Sequence, residues 1–179
     1  MNQPQQKRKK TAVGAVMDKF DPVFRRGTEL LHRGQVEQAL PYLERANELE
    51  PAHFDAALNL SGAYILTKKF GRAVGLLEPF QESYADNEML WTNLGAAYLG
   101  NPVLAKDADQ ERAIAAFKQA LEVNPIAPNV AYNLGLIYRD RRDTEAAAGW
   151  FRRAIKANPN DRDAQMLLAK LLEADSLDI

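Results

Sequence analysis

Four alanines recur along the chain at nearly equal intervals, and this spacing constrains the fold more than any other feature of the sequence. Ala39, Ala73, Ala113 and Ala147 follow one another at intervals of about 34 residues, except that the second interval is longer by six. Tyr64, Tyr98 and Tyr138 follow the same rule, and their second interval is also longer by six. Both series therefore lengthen at the same place, between Tyr98 and Ala113. The spacing indicates a unit of about 34 residues that is repeated, with six extra residues in one copy.

Other residues recur with the same spacing as the alanines. Small residues stand early in each unit, at Gly27, Ser61, Gly95 and Gly135. A large apolar residue follows each alanine by four positions, at Leu43, Leu77, Phe117 and Phe151. Because the apolar residues of each unit follow helical spacing, each unit is predicted to be two amphipathic helices. One such hairpin cannot bury its own apolar face, so successive hairpins must stack.

One unit carries every marker at once. Its markers are Trp91, Leu94, Gly95, Tyr98, Ala113, Phe117 and Pro125. This pattern resembles the tetratricopeptide repeat family, whose unit has about 34 residues. The resemblance implies an all-α fold, an alpha-solenoid of four helical hairpins plus a C-terminal capping helix. It also implies a protein that binds protein partners.

The repeat markers predict where the parts of the chain begin and end. We expect a basic tail and a short amphipathic helix over 1–19, a four-repeat array over 20–161, and a capping helix with a polar tail over 162–179. The predicted units of the array are 20–53, 54–87, 88–127 and 128–161. The six extra residues belong to the third unit, within the stretch 99–110. They are either a loop at the edge of the binding groove or a spacer that the fold tolerates.

Two prolines are expected to shape individual helices. Pro79 stands inside the predicted second helix of the second unit, where proline costs ~3 kcal/mol or more. That helix is expected to bend or to end early. Asp21 and Pro22 fit the start of the first helix, with Asp21 as its N-cap.

The N-terminal segment leaves two interpretations open. Val13, Val16, Met17 and Phe20 follow helical spacing after the basic run KRKK. Packing onto the first repeat is favoured over contact with a membrane or a partner, because about ten residues are too few for a stable isolated helix. The KRKK run is interpreted as a solvated tail rather than a nucleic-acid arm.

Composition excludes several classes of function. Hydrophobic residues make up 46% of the 179 residues, which is enough for a core, and the net charge of −1 gives no field that attracts nucleic acid. The absence of cysteine excludes disulfides and thiolate metal sites. No apolar run is long enough for a membrane span, and the N-terminus lacks the apolar region of a signal peptide. A cytoplasmic location without stable membrane insertion is therefore expected.

The sequence contains few residues in patterns that are typical of catalysis or metal binding. The only histidines, His32 and His53, lack metal-ligand spacing and are interpreted as surface residues. Asp107 and Asp109 lie in a loop without a metal partner, and no phosphate-binding loop or nucleophile motif is present. The sequence therefore predicts a protein that is not an enzyme and needs no cofactor or metal.

Asparagines supply the predicted binding site. Asn59, Asn93 and Asn133 each stand just before a leucine and the small residue of units two to four. If the leucine faces the core, the asparagine is rotated by ~100°, toward the concave wall that first helices form in this family. An amide side chain offers a donor and an acceptor that complement a peptide bond. The three residues are therefore predicted to contact an extended peptide.

A smaller basic group is predicted at the C-terminal end. Asn129, Tyr132, Leu136 and Arg139 follow one helical stripe, and a shift by one repeat places Asp163 and Lys170 on the matching face of the last helix. Arg139 and Lys170 are predicted to favour an acidic segment or a free carboxylate, although Asp163 opposes this. The carboxylate clamp of some family members is disfavoured, because only one of its five positions matches in either frame of the repeats.

These observations favour a module that binds an extended peptide or partner segment in the concave groove of the repeats. The alternative is a structural scaffold that self-associates, through exposed apolar ends such as the first unit and residues 13–20. A homo-oligomer is compatible with either function. The sequence does not identify the partner.

Overall fold

The computed structural model describes residues 19–100 and 105–177, and all regular secondary structure within them is helical, which confirms the predicted all-α class. The described helices are α1 (Phe20–His32), α2 (Val36–Leu49), α3 (Phe54–Leu66), α4 (Phe70–Leu77), α5 (Glu88–Leu99), α6 (Asp107–Val123), α7 (Val130–Asp140), α8 (Thr144–Ala157) and α9 (Arg162–Leu177). Residues 1–18, which include the KRKK run and most of the predicted amphipathic helix, and residues 101–104 of the insert stretch lie outside the described residues.

The described helices belong to two compact units, the first ending at Thr67 and the second beginning at Lys68. In the first unit α1 packs against α2, and α2 packs against α3. In the second unit each helix from α4 to α9 packs against the next. The division of the array into four repeats with the bounds given above stays a prediction.

Close contact between paired helices depends on the small residues that the repeat pattern singled out. A Cβ added to Gly95 would lie 2.5 Å from Cδ1 of Phe117, and one added to Gly135 would lie 2.6 Å from Cε1 of Phe151. In the first unit, a Cβ added to Gly27 would lie 2.8 Å from Cδ2 of Leu43. All three large side chains are 0% exposed. The predicted packing of small against large residues is therefore confirmed at these three pairs.

Pro79 ends α4 early. This helix has eight residues and stops at Leu77, and a 3-10 turn over Glu78–Phe80 follows it. A 3-10 turn accommodates proline because it begins a new hydrogen-bond pattern at that point. Of the two predicted outcomes, a bend or an early end, the structure has the early end.

The predicted cap at Asp21 is wrong. Helix α1 begins at Phe20, its N-cap residue is Lys19, and Asp21 lies in the first turn. A carboxylate there still interacts favourably with the positive end of the helix dipole. The Asp-Pro pair thus marks the first turn of the helix rather than the residue before it.

His53 is also more than the surface residue that the sequence predicted. Its Nδ1 accepts a hydrogen bond from the backbone N–H of Ala56 at 3.3 Å, so it caps α3. Its ring lies 4.6 Å from the ring of Phe20 and 5.4 Å from that of Phe24, measured between centroids. The half-buried imidazole therefore joins the start of α1 to the start of α3, whereas His32 is exposed as expected.

The six-residue insert follows a well-defined helix end. Gly100 has a φ of 59°, which glycine adopts without strain, and its N–H donates to the carbonyl of Ala96. Helix α6 then begins at Asp107, so Asp107 and Asp109 lie in its first turn rather than in the loop that the sequence predicted. None of the helices in the described part of the chain is long and apolar enough to cross a bilayer.

Candidate functional site

The three predicted asparagines occupy equivalent places on α3, α5 and α7. Each is partly exposed and directly precedes a leucine that is almost completely buried. The leucines are Leu60, Leu94 and Leu134, with exposed fractions of 1%, 0% and 0%. Because a helix turns by ~100° per residue, the buried leucine fixes the direction of its neighbour. The asparagine beside it is held at the border between core and solvent.

In the first unit, Asn59 has a structural partner that the sequence did not reveal. Its side-chain nitrogen donates to the hydroxyl of Thr28 at 3.0 Å, which ties α3 to α1. The partners are far apart in the sequence, so the contact arises only when the two helices pack. Part of the amide's hydrogen-bonding capacity is therefore used within the protein.

In the second unit, Asn93 and Asn133 hold equivalent sequence positions on α5 and α7, each directly before a buried leucine. We call the exposed side of these two helices that carries Asn93 and Asn133 the asparagine face. Helix α6 follows α5 and precedes α7 in the chain, and its Phe117 lies in one buried cluster with Leu134 and Ile137 of α7. The helices that carry the two asparagines are therefore supported by a buried apolar cluster.

A cleft opens where α7 begins and α8 ends. Its cavity of about 270 Å³ is lined by Ile126, Ala127, Asn129, Tyr132, Ala154 and Asp161, among others. Ile126 is 70% exposed, so its apolar side chain is open to solvent at this cleft. An adjoining cavity of about 480 Å³ is polar and includes Asp163 and Arg162. The cleft can therefore accept one apolar side chain beside a polar group.

The electrostatics of this cleft are set by acidic residues. Burial raises the pKa of the Tyr132 hydroxyl, and the negative charges of Asp163 and Asp161 raise it further, while Arg139 lowers it. Arg139 itself donates two hydrogen bonds to Asp140, at 2.9 and 2.7 Å. Asp140 is therefore the acidic residue that Arg139 contacts, and the predicted preference of Arg139 for a carboxylate of a partner stays a prediction.

Lys170, the other member of the predicted basic group, is an exposed residue of α9. The structure places it on the helix whose first turn carries Asp163. The proposed pairing of Arg139 with Lys170 as a carboxylate site stays a prediction.

A hydrogen-bonded tyrosine–glutamate pair occurs in both units, and the sequence pattern did not predict it. The hydroxyl of Tyr64 donates to Oε1 of Glu44 at 2.9 Å, and that of Tyr98 donates to Oε1 of Glu78 at 3.0 Å. The two pairs have the same separation in sequence and are related by one repeat. Arg112 also donates to Glu78 at 2.7 Å and lies 4.0 Å above the ring of Tyr98. The repeated tyrosine is therefore part of the contact between successive helices rather than of a binding surface.

Tyr98 makes the stability of the second unit sensitive to alkaline pH. Burial raises its pKa above the ordinary value of 10.0, Glu78 raises it further through its hydrogen bond and charge, and Arg112 lowers it. Stability from a group whose pKa is raised by folding is complete below the unfolded pKa and is lost as pH rises through the folded pKa. We therefore expect the free energy of unfolding to fall above pH 10.0.

Replacing Tyr98 with phenylalanine is expected to make that fall smaller, because one of the two raised tyrosines is gone. Urea unfolding followed by circular dichroism, at pH values on both sides of 10.0, measures the effect. Below that pH the variant should be less stable by ~1 kcal/mol, because the hydrogen bond to Glu78 is lost. An identical pH dependence in both proteins would contradict the assignment.

Within the described residues, no group of three or more histidine and acidic side chains is placed to hold a metal ion. The candidate site therefore consists of amide side chains, an acidic cleft with an exposed isoleucine, and a buried apolar support. Such groups can hold another chain by hydrogen bonds and apolar contact.

Comparisons with known families place the repeats along most of the chain. Residues 30–97 and residues 102–162 each match a family model described as tetratricopeptide repeat. Between them the two matches include nearly all of α2 to α8 and the asparagines at 59, 93 and 133.

Solved structures with similar folds include MamA proteins. MamA from Desulfovibrio magneticus RS-1 superposes with a TM-score of 0.67 at 21% identity, over 81% of this chain and 78% of that one. A structure of MamA AMB-1 gives a TM-score of 0.66 at 26% identity, over 86% of this chain and 81% of that one. Among curated sequences, the peroxisomal targeting signal receptor of Kluyveromyces lactis is 28% identical over 95 residues. Those residues are 53% of this chain but only 16% of that receptor.

Proposed function

The chain belongs to the tetratricopeptide repeat family, and from this premise we propose that it is a non-enzymatic module that binds an extended segment of a partner protein. The observation that carries the proposal is the asparagine face. Asn93 and Asn133 are partly exposed, hold equivalent sequence positions, and are each fixed by a fully buried leucine. We propose that this face holds the backbone of the segment.

Hydrogen bonding gives the physical basis. Each asparagine offers an NH₂ donor and a carbonyl acceptor, which match the C=O and N–H of a peptide unit. Two asparagines supply about four such bonds, each worth ~0.5–1.5 kcal/mol net. Ordering the segment offsets part of this gain, so affinity in the micromolar range is expected. Because backbone groups are the target, the contact depends little on the side chains of the segment.

Selectivity is assigned to the cleft at the start of α7. Its volume of about 270 Å³ and the exposed Ile126 suit a single apolar side chain of the segment. Asp161 and Asp163 disfavour an acidic residue at this place, because like charges repel. The curated relative is named as a receptor for a targeting signal. That name agrees with recognition of a segment of another protein.

Asn59 is expected to have a different role from Asn93 and Asn133. Its bond to Thr28 commits one of its donors to the first unit. We propose that the bond to Thr28, rather than a contact with a partner, is the main role of Asn59. Replacing Asn59 with alanine should therefore reduce the stability of the first unit more than it reduces binding.

Affinity capture followed by mass spectrometry tests the proposal. The intact protein serves as bait beside the double variant Asn93→Ala and Asn133→Ala, with circular dichroism to show that the variant is folded. Gln119→Ala is the matched control, because it removes an exposed amide from α6, outside the asparagine face. We expect proteins that are captured by the intact chain and by the control but lost with the double variant. Equal capture by all three baits would refute binding through the asparagine face.

A further inference from the structure

Helix α4 is short and buries few of its residues. It has 8 residues, whereas α2, α6 and α8, the second helices of the other predicted hairpins, have 14, 17 and 14. Only Ala73 and Leu77 of α4 are buried, while each of the other three helices has at least four buried residues. Most helical stability in proteins comes from packing of an apolar face. Packing therefore stabilises α4 less than it stabilises the other second helices.

Two glycines lower the helix propensity of α4 further. Gly71 and Gly75 are exposed, and a Cβ added to either would have no atom of the described residues within 4 Å. Close packing therefore does not require glycine at these positions, unlike Gly95 and Gly135. Relative to alanine, each glycine inside a helix lowers the equilibrium constant for helix formation about fourfold. Alanine at both positions would fit the structure and would make α4 more stable.

The first turn of α4 lacks the acidic residue that the other second helices have near their start. Its N-cap residue, Lys69, makes no side-chain cap hydrogen bond, and its first turn has no aspartate or glutamate. After allowance for the insert, the residues equivalent to Gly71 in the other predicted hairpins are Glu37, Glu111 and Glu145. A negative charge near the N-terminus of a helix interacts favourably with the helix dipole. The start of α4 is therefore the end at which its helical structure is most easily lost.

The C-terminal end of α4 is held more firmly. Leu77, its last residue, is 0% exposed. The next residue, Glu78, accepts hydrogen bonds from the hydroxyl of Tyr98 at 3.0 Å and from Arg112 at 2.7 Å. These contacts join the end of α4 to α5 and α6. The two ends of α4 are thus unequally secured.

A cavity of about 330 Å³ lies beside α4 within the second unit. Phe70 and Val74 of α4 line it, and Ala97 lines it on α5, the helix against which α4 packs. Side chains that border a cavity lose the packing contacts that a filled space would give them. The cavity therefore weakens the attachment of α4 to the rest of the unit.

We infer that α4 is a strap that opens on its own: residues 69–76 unfold and refold while α5 to α9 stay folded, and Leu77 and Glu78 keep the far end in place. Local opening is expected where few apolar residues are buried. In the open state the cavity widens along α5 beside Ala97. The inference does not rest on binding through the asparagine face, because no residue of α4 belongs to that face.

Thiol labelling tests the opening, because the chain contains no cysteine of its own. Ala73→Cys places a thiol on the strap, and Ala113→Cys places one at the equivalent position of α6; both alanines are 0% exposed. Under native conditions the thiol at position 73 should react with dithiodipyridine at least about tenfold faster than the thiol at position 113, because it needs only local opening. Circular dichroism shows that both variants are folded. Equal rates in the two variants would overturn the inference.

Native-state hydrogen exchange of the full-length protein is a second test and needs no cysteine. The amides of Val74 and Leu76 should have protection factors at least about tenfold lower than that of Phe117 in α6. Gly75→Ala should raise the protection of the two strap amides about fourfold, and addition of Gly71→Ala should bring the rise to about 15-fold.

Gly149→Ala is the matched control for hydrogen exchange. Gly149 is an exposed glycine inside α8, and a Cβ added there also has no described atom within 4 Å. If the strap opens while α8 stays folded, this variant should leave the protection of Val74 and Leu76 unchanged. Strap amides that are protected as well as Phe117, or that gain as much from Gly149→Ala as from Gly75→Ala, would show that α4 opens only with the whole unit. Either result would overturn the inference.

Discussion

Replacing Phe117 with alanine is expected to lower the free energy of unfolding by about 3–5 kcal/mol. Phe117 is 0% exposed and lies in the apolar cluster that joins α5, α6 and α7. Its ring fills the space that Gly95 leaves open on α5. Truncation removes the transfer energy of the ring and leaves a cavity that the two helices cannot close. Urea denaturation followed by circular dichroism measures the loss.

The same contact predicts a specific interaction between Gly95 and Phe117. In the native protein, Gly95→Ala places a methyl group against the ring, which costs ~1–3 kcal/mol, while better helix propensity returns ~1 kcal/mol. With Phe117→Ala already present, the methyl group meets no ring, and Gly95→Ala should stabilise the protein. A double-mutant cycle should therefore give a coupling energy of about 1–3 kcal/mol.

Gly149→Ala is the matched control for this cycle. Gly149 lies inside α8, and an added Cβ there has no atom within 4 Å. Alanine at this position should stabilise the protein by about 0.5–1 kcal/mol, whether or not Phe117 is present. If Gly95→Ala and Phe117→Ala proved additive, the close contact that defines the repeat would not exist in solution.

Alanine at both Asn93 and Asn133 is expected to weaken binding of a captured segment by about 30-fold or more. About four hydrogen bonds are lost, and the lower limit of their summed contribution is ~2 kcal/mol. Isothermal titration calorimetry of the intact and variant proteins with one captured segment measures the change. The heat-capacity change of binding should stay nearly the same, because the apolar contact in the cleft is retained.

Two further variants show whether the loss of affinity comes from the hydrogen bonds of the asparagine face. Gln119→Ala, on the exposed side of α6, should leave Kd unchanged. Ile126→Ala should also weaken binding, but with a smaller heat-capacity change, because it removes apolar contact rather than hydrogen bonds. An unchanged Kd in the asparagine double variant would assign binding to another surface.

Much of the fold could be predicted because it depends on local periodicity. The repeated spacing of alanine, glycine and large apolar residues marks helices and their close contacts, and the contact of Gly95 with Phe117 follows that pattern. Pro79 ended its helix because the steric effect of proline is confined to a few neighbouring residues. Such effects can be predicted from a short stretch of sequence without knowledge of what packs against it.

The missed features are those that arise from contacts between distant residues. Asn59 meets Thr28 only after α3 packs on α1, and Tyr98 meets Glu78 across helices. Glu44 and Glu78 precede Tyr64 and Tyr98 by the same distance, which could have indicated the tyrosine–glutamate pair, although Lys118 stands at that distance before Tyr138. His53 caps a helix through a ring nitrogen, and histidine is not among the residues usually expected to cap a helix.

The most direct test of the proposed function is the NMR spectrum of the side-chain NH₂ groups during titration with a captured segment. If the asparagine face binds the segment, the NH₂ signals of Asn93 and Asn133 should shift and saturate with one common Kd. The NH₂ signal of Gln119, on the exposed side of α6, should stay in place. A segment that binds with saturation while the signals of Asn93 and Asn133 do not move would contradict the account.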